Sequence, residues 1–437
     1  MFTHEYYVQV LRTLYTFSMK LSEDLAWRGL LKDRTFQDDT WLDIPRKFYL
    51  GADAGSADSL TIGNLAIFLL ARRLLDAGWE TVLLMGGATS LIGDPGGKDS
   101  ERPLVSREDV EANKAGIREQ VANLFAGQSF EFVDNYDWFK DMHYLEFLRD
   151  VGKHFSVTEL VQRDFIAERV GPDGAGISYA EFSYSLIQGY DFWHLYKYNQ
   201  VVMQIGGSDQ WGNMISGVPL IRKKEAGEAH ALSMPLVINQ ETGKKFGKSE
   251  AGAIWLDAKK TSVYKFYQFW LNCDDAGVEY YLKIYTFLQK QEIDDLINEF
   301  NQNRATRIAQ KRLAAEVTNL VHGQAALARV EKLTDTIFSD AHLDDLTDQD
   351  IDLLVHELPH TNATPGDDML ELLVRLELAS SKGDARRVLG EGGIRINGVK
   401  LLANQKSLGD EHFIGQSTRR FALVRRGKNK LGLVQTP

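Results

Sequence analysis

The chain has 437 residues, too many for a single hydrophobic core, so two or three domains are expected. Apolar residues make up 44% and charged residues 25%, which is typical of a globular chain, and no apolar run is long enough to cross a bilayer. The net charge of −11 argues against a protein that coats nucleic acid along its whole length, and the single Cys273 excludes an internal disulfide.

The charge is unevenly distributed. From Gly366 to Pro437 there are thirteen Lys/Arg against eight Asp/Glu, a local balance of +5 that leaves −16 for the preceding residues. A basic end on an acidic body predicts that a polyanionic partner is bound by the end of the chain. No basic-then-apolar signal segment follows Met1, so we expect a cytoplasmic protein with no membrane partner.

In chain order, the first half predicts helices that alternate with strands. Helices are predicted over residues 2–31, 62–77, 107–125 and 179–198, with two or three more over 138–170; strands are predicted over 47–53, 81–85, 130–133 and 201–205. This order predicts an open parallel α/β sheet, in which ligands bind beyond the carboxyl ends of the strands. The glycine-bearing loops after Tyr49, Met85 and Ile205 should therefore face one cleft.

The second half loses its strands. Residues 261–356 predict helices almost throughout, and residues 357–368 contain two prolines and predict a linker. Residues 369–437 predict a small α+β module, with a glycine-rich turn at 392–398 and a strand at 421–426.

Two distant segments favour an anion. The lysine loop, residues 244–249, reads Lys-Lys-Phe-Gly-Lys-Ser, and its ammonium groups and hydroxyl can gather on phosphate oxygens. Thr61-Ile62-Gly63-Asn64 opens a predicted helix, where backbone N–H groups and the helix dipole favour negative charge, and Ser56 adds a donor. The alternatives are a solvated basic turn and a simple helix cap.

Acidic and polar residues complete the pattern. Asp53, Asp94 and Asp209 fall at the predicted cleft edge, where they can bind an ammonium group, a ribose hydroxyl or a metal, or else form turns. Tyr184, Gln188 and Asp191 share one face of a predicted helix. That face is either solvent-exposed or the wall of a pocket that pairs with a hydroxyl and an amine.

Together these segments resemble the class I aminoacyl-tRNA synthetases, specifically the bacterial-type tyrosyl-tRNA synthetases, from about Lys47 to the C-terminus. The resemblance is carried by the segments Gly86–Pro95, Phe182-Ser183-Tyr184 with Gln188 and Asp191, Gly206–Asn213, the lysine loop, and Arg386–Lys400, which is similar to an S4 RNA-binding module. This family has two signature segments, of which the lysine loop matches the second. The first signature, at residues 61–64, usually reads His-Ile-Gly-His but here reads Thr-Ile-Gly-Asn, a form similar to that of the tryptophanyl enzymes.

The resemblance implies a tyrosine–tRNA ligase that uses ATP with Mg²⁺ as a substrate and carries no resident cofactor or structural metal. It implies partners L-tyrosine, tRNA(Tyr) and a second copy of the chain, and no DNA. The implied domains are an N-terminal helical segment (1–46), a Rossmann-like catalytic domain (47–260) with a dimer-forming insertion at about 135–175, a helical anticodon-side domain (261–356), the linker (357–368) and an S4-like domain (369–437).

The resemblance also implies roles for individual residues. Tyrosine would be bound by Tyr49, Asp94, Tyr184, Gln188, Asp191 and Gln210. ATP would be bound by Asp53, Ser56, Gly63, Gly207, Asp209, Lys245, Lys248 and Ser249, with Lys245, Lys248, Thr61 and Asn64 acting on the phosphates during catalysis. RNA would be bound by Arg386, Arg387, Arg395 and Lys400, for which ordinary surface charge is the alternative.

Two other functions stay open at this stage. Thr61 and Asn64 favour a tryptophan-activating synthetase, but an indole N–H offers no acceptor for the hydroxyl of Tyr49. The other alternative is an RNA-binding scaffold on a degenerate synthetase body, against which the complete lysine loop and the three acidic positions argue.

Overall fold

The computed structural model of the protein describes residues 19–93, 105–172, 174–249, 252–339, 343–415, 420–427 and 430–437, without the side chains of Asp164, Phe165, Lys248 and Ser249. The chain divides into two compact units. The first comprises residues Met1–Ser262 and Phe266–Val321, and the second comprises Val263–Lys265 and His322–Pro437. The helical region predicted over 261–356 is thus shared between the two units.

The first unit is built on a five-stranded sheet of order β3-β2-β1-β4-β5, in which all neighbours are parallel. Its strands are β1 (Lys47–Ala52), β2 (Glu80–Met85), β3 (Phe130–Asp134), β4 (Met203–Gly207) and β5 (His230–Met234). Parallel strands covered on both faces are apolar throughout, and in β2 every residue after Glu80 is buried. The predicted open parallel sheet, with helices between its strands, is confirmed.

Helices connect and cover these strands. In chain order they are α1 (Leu21–Trp27), α2 (Ile62–Asp76), α3 (Gly87–Ile92), α4 (Arg107–Leu124), α5 (Tyr136–Phe139), α6 (Tyr144–Asp150), α7 (Val157–Val161), α8 (Asp164–Val170), α9 (Tyr179–Asn199), α10 (Trp211–Met214) and α11 (Gly217–Glu225). Helix α9 is capped at its start by Ser178, whose hydroxyl accepts from Glu181 N in a capping box, and at its end by Gln200 in the left-handed region (φ 61°).

Several elements of this unit, among them α3, α10, α11 and β5, are absent from the sequence prediction. Helix α3 begins directly after Gly86, where a loop was expected, and strand β5 adds the fifth position in the sheet. The outer edge of β5 is covered by the N-terminal segment, since Lys32 N donates to Ser233 O and Thr35 N to Ala231 O. The segment therefore protects a sheet edge that would otherwise be open to pairing.

The rest of the first unit is helical apart from one short hairpin. The hairpin strands are β6 (Lys248–Ser249) and β7 (Gly252–Ala253), and the helices are α12 (Val263–Leu271), α13 (Val278–Tyr285), α14 (Lys290–Gln302) and α15 (Ile308–His322), of which α12 and α15 run across the division between the units. None of the helices in the described ranges is long and apolar enough to span a membrane.

The second unit contains a smaller sheet of order β10-β9-β11-β12-β8. Its elements are α16 (Gln324–Ser339), α17 (Asp348–Glu357), β8 (His360–Asn362), α18 (Met369–Arg375), α19 (Lys382–Gly390), β9 (Ile394–Ile396), β10 (Val399–Lys400), β11 (Phe421–Arg426) and β12 (Lys430–Gln435). The α+β module is confirmed, but part of the predicted linker is strand β8, which pairs in parallel with β12 from Leu433 to Gln435. Two prolines flanking a three-residue edge strand resemble a linker in sequence.

Candidate active site

The carboxyl ends of β1, β2 and β4 meet at one edge of the first sheet, as predicted. Gly86 N, directly after β2, donates to Ala52 O at the end of β1 (3.0 Å). Ser90 Oγ on α3 donates to Asp53 Oδ1 (3.1 Å) and accepts from Ala54 N (3.2 Å). Helix α3, which follows β2, therefore contacts the loop after β1, and that three loops face one cleft stays a prediction.

Asp53 lies exposed at this edge with its carboxylate held in place. Gly55 N donates to its Oδ1 (2.8 Å) and Ser56 Oγ to its Oδ2 (3.1 Å). The predicted ATP-binding residues Asp53 and Ser56 are therefore in contact with each other. A fixed, exposed carboxylate is a ready acceptor for a ligand hydroxyl.

The first signature forms the N-terminus of α2, and its two variant residues bond to each other. Thr61 Oγ1 and Thr61 N both donate to Asn64 Oδ1, at 2.8 and 2.9 Å, and Asn64 N donates to Thr61 Oγ1 at 3.4 Å. The capping interpretation of these residues is thus correct. Asn64 and Gly63 are exposed, and Asn64 Nδ2 takes part in none of these three bonds, so the cap still presents a donor at the helix N-terminus.

The lysine loop lies against this helix start. Ile62 N donates to Ile254 O (3.0 Å), and Ile254 N donates to Gly247 O (3.1 Å). A Cβ at Gly247 would lie 2.8 Å from Ile62 Cγ1, and the φ of +97° at this position also favours glycine. The two signature segments, which are far apart in sequence, therefore form one continuous backbone arrangement.

The same loop also contacts the end of β4. Lys245 Nζ lies 3.4 Å from Asp209 Oδ2, and both side chains are partly exposed. Gly207, two residues earlier, is half-buried. The backbone of Lys248 and Ser249 forms β6, while their side chains are outside the described part of the structure. The structure thus places Lys245, Gly207 and Asp209 beside the helix start.

A cluster of buried polar side chains lies between β1 and α9. Asp191 on α9 is 1% exposed as a residue, and it accepts a hydrogen bond on each oxygen: Trp138 Nε1 donates to Oδ1 (2.9 Å) and Asn135 Nδ2 to Oδ2 (3.1 Å). Burial raises the pKa of the Asp191 carboxyl to about 7, although these two hydrogen bonds oppose the rise.

Tyr49 on β1 belongs to the same cluster. It is 1% exposed, and its hydroxyl has no hydrogen-bond partner among the described residues. Burial, together with the nearby charge of Asp191, raises the pKa of the Tyr49 phenol well above its usual value. A buried hydroxyl without a partner costs about 1–3 kcal/mol, a cost that a polar ligand group at this position would relieve.

The other predicted tyrosine-binding residues lie on α9, after β4 and after α3. Tyr184 is buried and Gln188 is half-buried, both on α9 with Asp191. Gln210, half-buried after β4, accepts from Asn213 Nδ2 at 3.3 Å. Asp94 lies outside the described residues.

Three site residues were missed by the sequence analysis. Asn135 bridges Asp191 to α3, since its Oδ1 accepts from Ala88 N (2.7 Å), and Trp138 follows on α5. Gln204 on β4 pairs in register with Tyr49, and its buried Oε1 has no partner among the described residues. Asn135 comes directly after β3, and Gln204 is a polar residue inside an apolar strand, so the position of each in the sequence could have identified it as a candidate. Trp138 had no such signal.

The predicted RNA-binding residues lie in the second unit and are all exposed. Arg387 on α19 forms ion pairs with Asp384 (2.7 Å) and Glu391 (3.1 Å), and Arg395 Nη1 donates to Gly398 O (2.9 Å). Arg386 and Lys400 are exposed on α19 and β10. Among the residues that the structure describes, no group of three or more His, Cys, Asp or Glu could hold a metal ion.

Comparison with known sequences identifies the family. The family described as tRNA synthetases class I (W and Y) matches residues 44–339, and the tyrosine–tRNA ligase SYY-like C-terminal domain matches residues 350–434. Tyrosine–tRNA ligase from Bacillus caldotenax is 43% identical over 427 residues, covering 95% of this chain and all of that protein. The corresponding ligase from Listeria monocytogenes serotype 4a is 41% identical over 425 residues, covering 95% of this chain and 99% of its own.

Solved structures agree with this result. A C-terminally truncated mitochondrial tyrosyl-tRNA synthetase from Aspergillus nidulans is 29% identical and superimposes with a TM-score of 0.66, covering 76% of this chain and 99% of its own. A tryptophanyl-tRNA synthetase from Encephalitozoon cuniculi, 13% identical, has a TM-score of 0.51 over 76% of this chain and 91% of its own, which shows a common fold alone. The chain therefore belongs to the class I tRNA synthetases of the tryptophan and tyrosine group and, within that group, to the tyrosine–tRNA ligases.

Proposed function

We propose that this protein activates L-tyrosine with ATP and Mg²⁺ and transfers the tyrosyl group to the 3′ end of tRNA(Tyr). The observation that carries this proposal is the proximity of two buried polar groups, the Tyr49 hydroxyl on β1 and the Asp191 carboxylate on α9. The Tyr49 hydroxyl lacks a partner among the described residues, and the Asp191 carboxylate can accept another hydrogen bond.

A phenol fits this pair better than any other amino-acid side chain. Its O–H donates to Asp191, and its oxygen accepts from the Tyr49 hydroxyl. Phenylalanine would leave both polar groups unpaired in a desolvated site, which is costly. An indole could donate to Asp191, but it would leave Tyr49 without an acceptor.

The remaining residues of the pocket would hold the amino-acid backbone. We assign Asp94, Tyr184 and Gln188 to the ammonium group and Gln210 to the carboxylate. This arrangement directs the carboxylate away from the buried pocket and toward the exposed edge of the sheet.

ATP would bind along that exposed edge. We assign the ribose and the adenylate to Asp53, Gly207 and Asp209, and the phosphates to Ser56, Thr61, Gly63 and Asn64 on one side and Lys245, Lys248 and Ser249 on the other. The contact between Gly247 and Ile62 supports this clamp, because it holds the two sides at a short distance. Mg²⁺ would arrive with ATP, bound mainly by phosphate oxygens and water.

The chemistry needs no nucleophile from the protein. The tyrosine carboxylate oxygen attacks the α-phosphorus, and the bond to the bridging oxygen of pyrophosphate breaks, giving tyrosyl-adenylate. The lysines stabilise the negative charge of the pentacoordinate transition state and of the leaving pyrophosphate. The terminal ribose hydroxyl of the tRNA then attacks the tyrosyl carbonyl and releases AMP.

RNA would be bound in part by the basic C-terminal residues 366–437, through Arg386, Arg387, Arg395 and Lys400. A homodimer would form through the insertion at about 135–175 and the start of α9, where apolar side chains are unusually exposed: Tyr144 at 60%, Leu145 at 76% and Tyr179 at 62%. An open apolar cavity of about 300 Å³ lies between Tyr144, Tyr179 and Phe147. We place the protein in the cytoplasm, which suits a chain with a single cysteine.

Amino-acid-dependent ATP–pyrophosphate exchange tests the proposal directly. The purified protein should show exchange with tyrosine and none above background with phenylalanine or tryptophan. Exchange with tryptophan but not tyrosine would overturn the pocket assignment. If neither amino acid supports exchange while tRNA still binds, the protein is an RNA-binding scaffold.

A further inference from the structure

We propose that Tyr281 and Tyr285 on α13 are positioning residues that set the distance between the lysine loop and the first signature helix α2. The inference rests on the proposed function, since it assigns the ATP phosphates to these two segments. Neither tyrosine is assigned to a substrate. Their effect on the reaction would come through the segments that they hold.

Tyr285 fixes the start of α2. It is fully buried, and its hydroxyl donates to Ile62 O at 3.1 Å. Ile62 is the first residue of α2, one position after Thr61 and one before Gly63. The ring of Tyr285 packs edge-on against Trp270 with the centroids 4.7 Å apart. The hydroxyl is therefore held by a rigid ring at the turn that would receive the phosphates.

Tyr281, one helical turn earlier, fixes the lysine loop. Its ring stacks on Phe246, the central aromatic residue of the loop, with centroids 4.1 Å apart and an interplanar angle of 22°. Its hydroxyl donates to Asp274 Oδ2 (3.0 Å) and accepts from Gln240 N (3.3 Å).

Gln240 lies in the turn that leads into the lysine loop. This turn is closed by Phe246 N donating to Val237 O (2.9 Å) and Asn239 N donating to Lys244 O (2.8 Å). Tyr281 thus contacts both the turn, through its hydroxyl, and the loop, through its ring.

The far end of α13 is held by two buried arginines. Arg73 on α2 donates to Thr286 O (2.6 Å), and Arg28 from the N-terminal segment donates to Lys283 O (2.9 Å) and Leu288 O (2.8 Å). The last carbonyls of a helix lack intrahelical partners and carry partial negative charge, which a guanidinium group satisfies. Arg73 and Tyr285 therefore join α13 to α2 at two points. Through Tyr281, α13 also contacts the lysine loop.

This arrangement has a consequence for the reaction. A phosphate clamp stabilises a transition state only when its two sides are correctly spaced, and a displacement of about 1 Å can cost about 10²-fold in rate. If α13 determines that spacing, removing its polar contacts should slow the ATP-dependent step. Tyrosine binding should be unaffected, because Tyr49 and Asp191 lie on β1 and α9.

The test compares Tyr285→Phe and Tyr281→Phe, which keep both rings, with Tyr280→Phe as the control on the same helix. Active sites are titrated first, so that rates refer to folded protein. Each positioning variant should then show about tenfold lower kcat/KM for ATP in adenylate formation. The tyrosine Kd, measured by equilibrium dialysis without ATP, should stay within about twofold, and Tyr280→Phe should resemble the wild type.

A role confined to stability would give a different result. If the Tyr281 and Tyr285 variants melt at lower temperature but form adenylate at the wild-type rate per active site, the proposal is wrong. A wild-type protein without tyrosine-dependent exchange would overturn the proposed function itself, and this failure is distinct because it precedes any comparison of variants.

A double-mutant cycle tests the ring contact separately. Phe246→Leu and Tyr281→Leu should together cost less in kcat/KM for ATP than the product of the single losses, by at least about threefold, because each removes the same stack. Losses that simply multiply would mean that the two rings act independently, which contradicts the proposed connection between α13 and the lysine loop.

Discussion

Trp138 Nε1 donates a 2.9 Å hydrogen bond to Asp191 Oδ1, and this bond joins the predicted dimer-forming insertion to the predicted tyrosine pocket. The indole is itself stacked on His194, with ring centroids 4.2 Å apart and an interplanar angle of 19°. Burial lowers the pKa of His194 to about 4, so this ring is neutral at pH 7. The indole that orients the Asp191 carboxylate is therefore held by stacking on a ring that is uncharged at pH 7.

Trp138→Phe removes this donor while keeping an aromatic ring. The hydrogen bond favours the ionised carboxylate, so its loss should raise the pKa of Asp191 further above 7. We expect tyrosine binding at pH 7 to weaken by about five- to tenfold and to recover partly at higher pH. Equilibrium dialysis at pH 7 and pH 8.5 measures both effects, and equal weakening at the two values would exclude the ionisation of Asp191 as the cause.

Tyrosine affinity should depend on pH near 7 through Asp191. An ionised carboxylate accepts a stronger hydrogen bond from the phenol than a neutral carboxyl does. With a pKa of about 7, the ionised fraction rises roughly tenfold between pH 6 and pH 8, and the affinity should rise in the same direction. Dialysis across this range tests the effect, and Asp191→Asn should bind more weakly without the dependence.

Stability should move in the opposite direction. The pKa of Asp191 is raised from 3.8 to about 7 on folding, so the stabilising contribution of the neutral carboxyl is present below pH 4 and is lost as the pH rises through 7. Relative to wild type, Asp191→Asn should therefore gain about 3 kcal/mol of unfolding free energy from pH 5 to pH 8, since one pKa unit corresponds to about 1.4 kcal/mol. Urea denaturation at several pH values measures this, and a pH-independent difference would contradict the assignment.

Tyr49→Phe should stabilise the unliganded protein while weakening tyrosine binding. The Tyr49 hydroxyl is buried without a partner among the described residues, so its removal relieves a cost of about 1–3 kcal/mol. The same change removes a donor to the phenol oxygen, and we expect about tenfold weaker tyrosine binding. Thermal unfolding without ligand measures the change in stability, and dialysis with tyrosine measures the change in affinity. A fall in both stability and affinity would mean that the hydroxyl has a partner in the folded protein.

Gly116→Ala should impair the use of ATP. A Cβ at Gly116 on α4 would lie 2.1 Å from Asp58 O, in the loop that precedes the first signature. The same helix holds that loop through Asn113 Nδ2, which donates to Ala54 O (2.8 Å), and through Gln120 Oε1, which accepts from Leu60 N (2.8 Å).

We expect the KM for ATP in exchange to rise about tenfold or more in Gly116→Ala, although alanine favours helix by about 1 kcal/mol. The control is Gly390→Ala, at the end of α19, where an added Cβ meets nothing within 4 Å in the described part of the chain apart from its chain neighbours and its own helix backbone. Equal KM values for ATP in the two variants would show that displacing the loop around Asp58 does not affect the use of ATP.

Lys248→Ala should abolish tyrosine activation with little change in tyrosine binding. The proposed clamp uses Lys248 on the phosphates, and loss of a charge that stabilises a transition state costs about 10²–10³-fold in rate. Single-turnover adenylate formation measures the rate, and dialysis measures tyrosine binding. Comparable rates in the variant and the wild type would remove Lys248 from the mechanism.

The sequence predicted most of the architecture because most elements here are determined locally. The period of apolar residues identified β1, β2, β3, β4 and helices α2, α4 and α9 within one to three residues of their bounds. It missed α3, because a six-residue helix capped by Gly86 and beginning at Gly87 resembles a loop, and β5, whose five buried residues are too short a run to separate strand from helix. Strand β8 was not predicted because it lies between two prolines, which are typical of a linker. Its pairing with β12 also depends on residues more than 70 positions away.

The sequence by itself determined which chemistry the chain carries: a glycine-led helix, a lysine loop and a polar face on α9 are short patterns with fixed spacing. Only the tertiary structure decided that Gly247 touches Ile62, and that Asn135 and Trp138, 56 and 53 residues away, both donate to Asp191. The physical reason is that these contacts are set by the order of the strands in the sheet. The shift in the Asp191 pKa follows from desolvation, which exists only once β1, α5 and α9 have closed around the carboxylate.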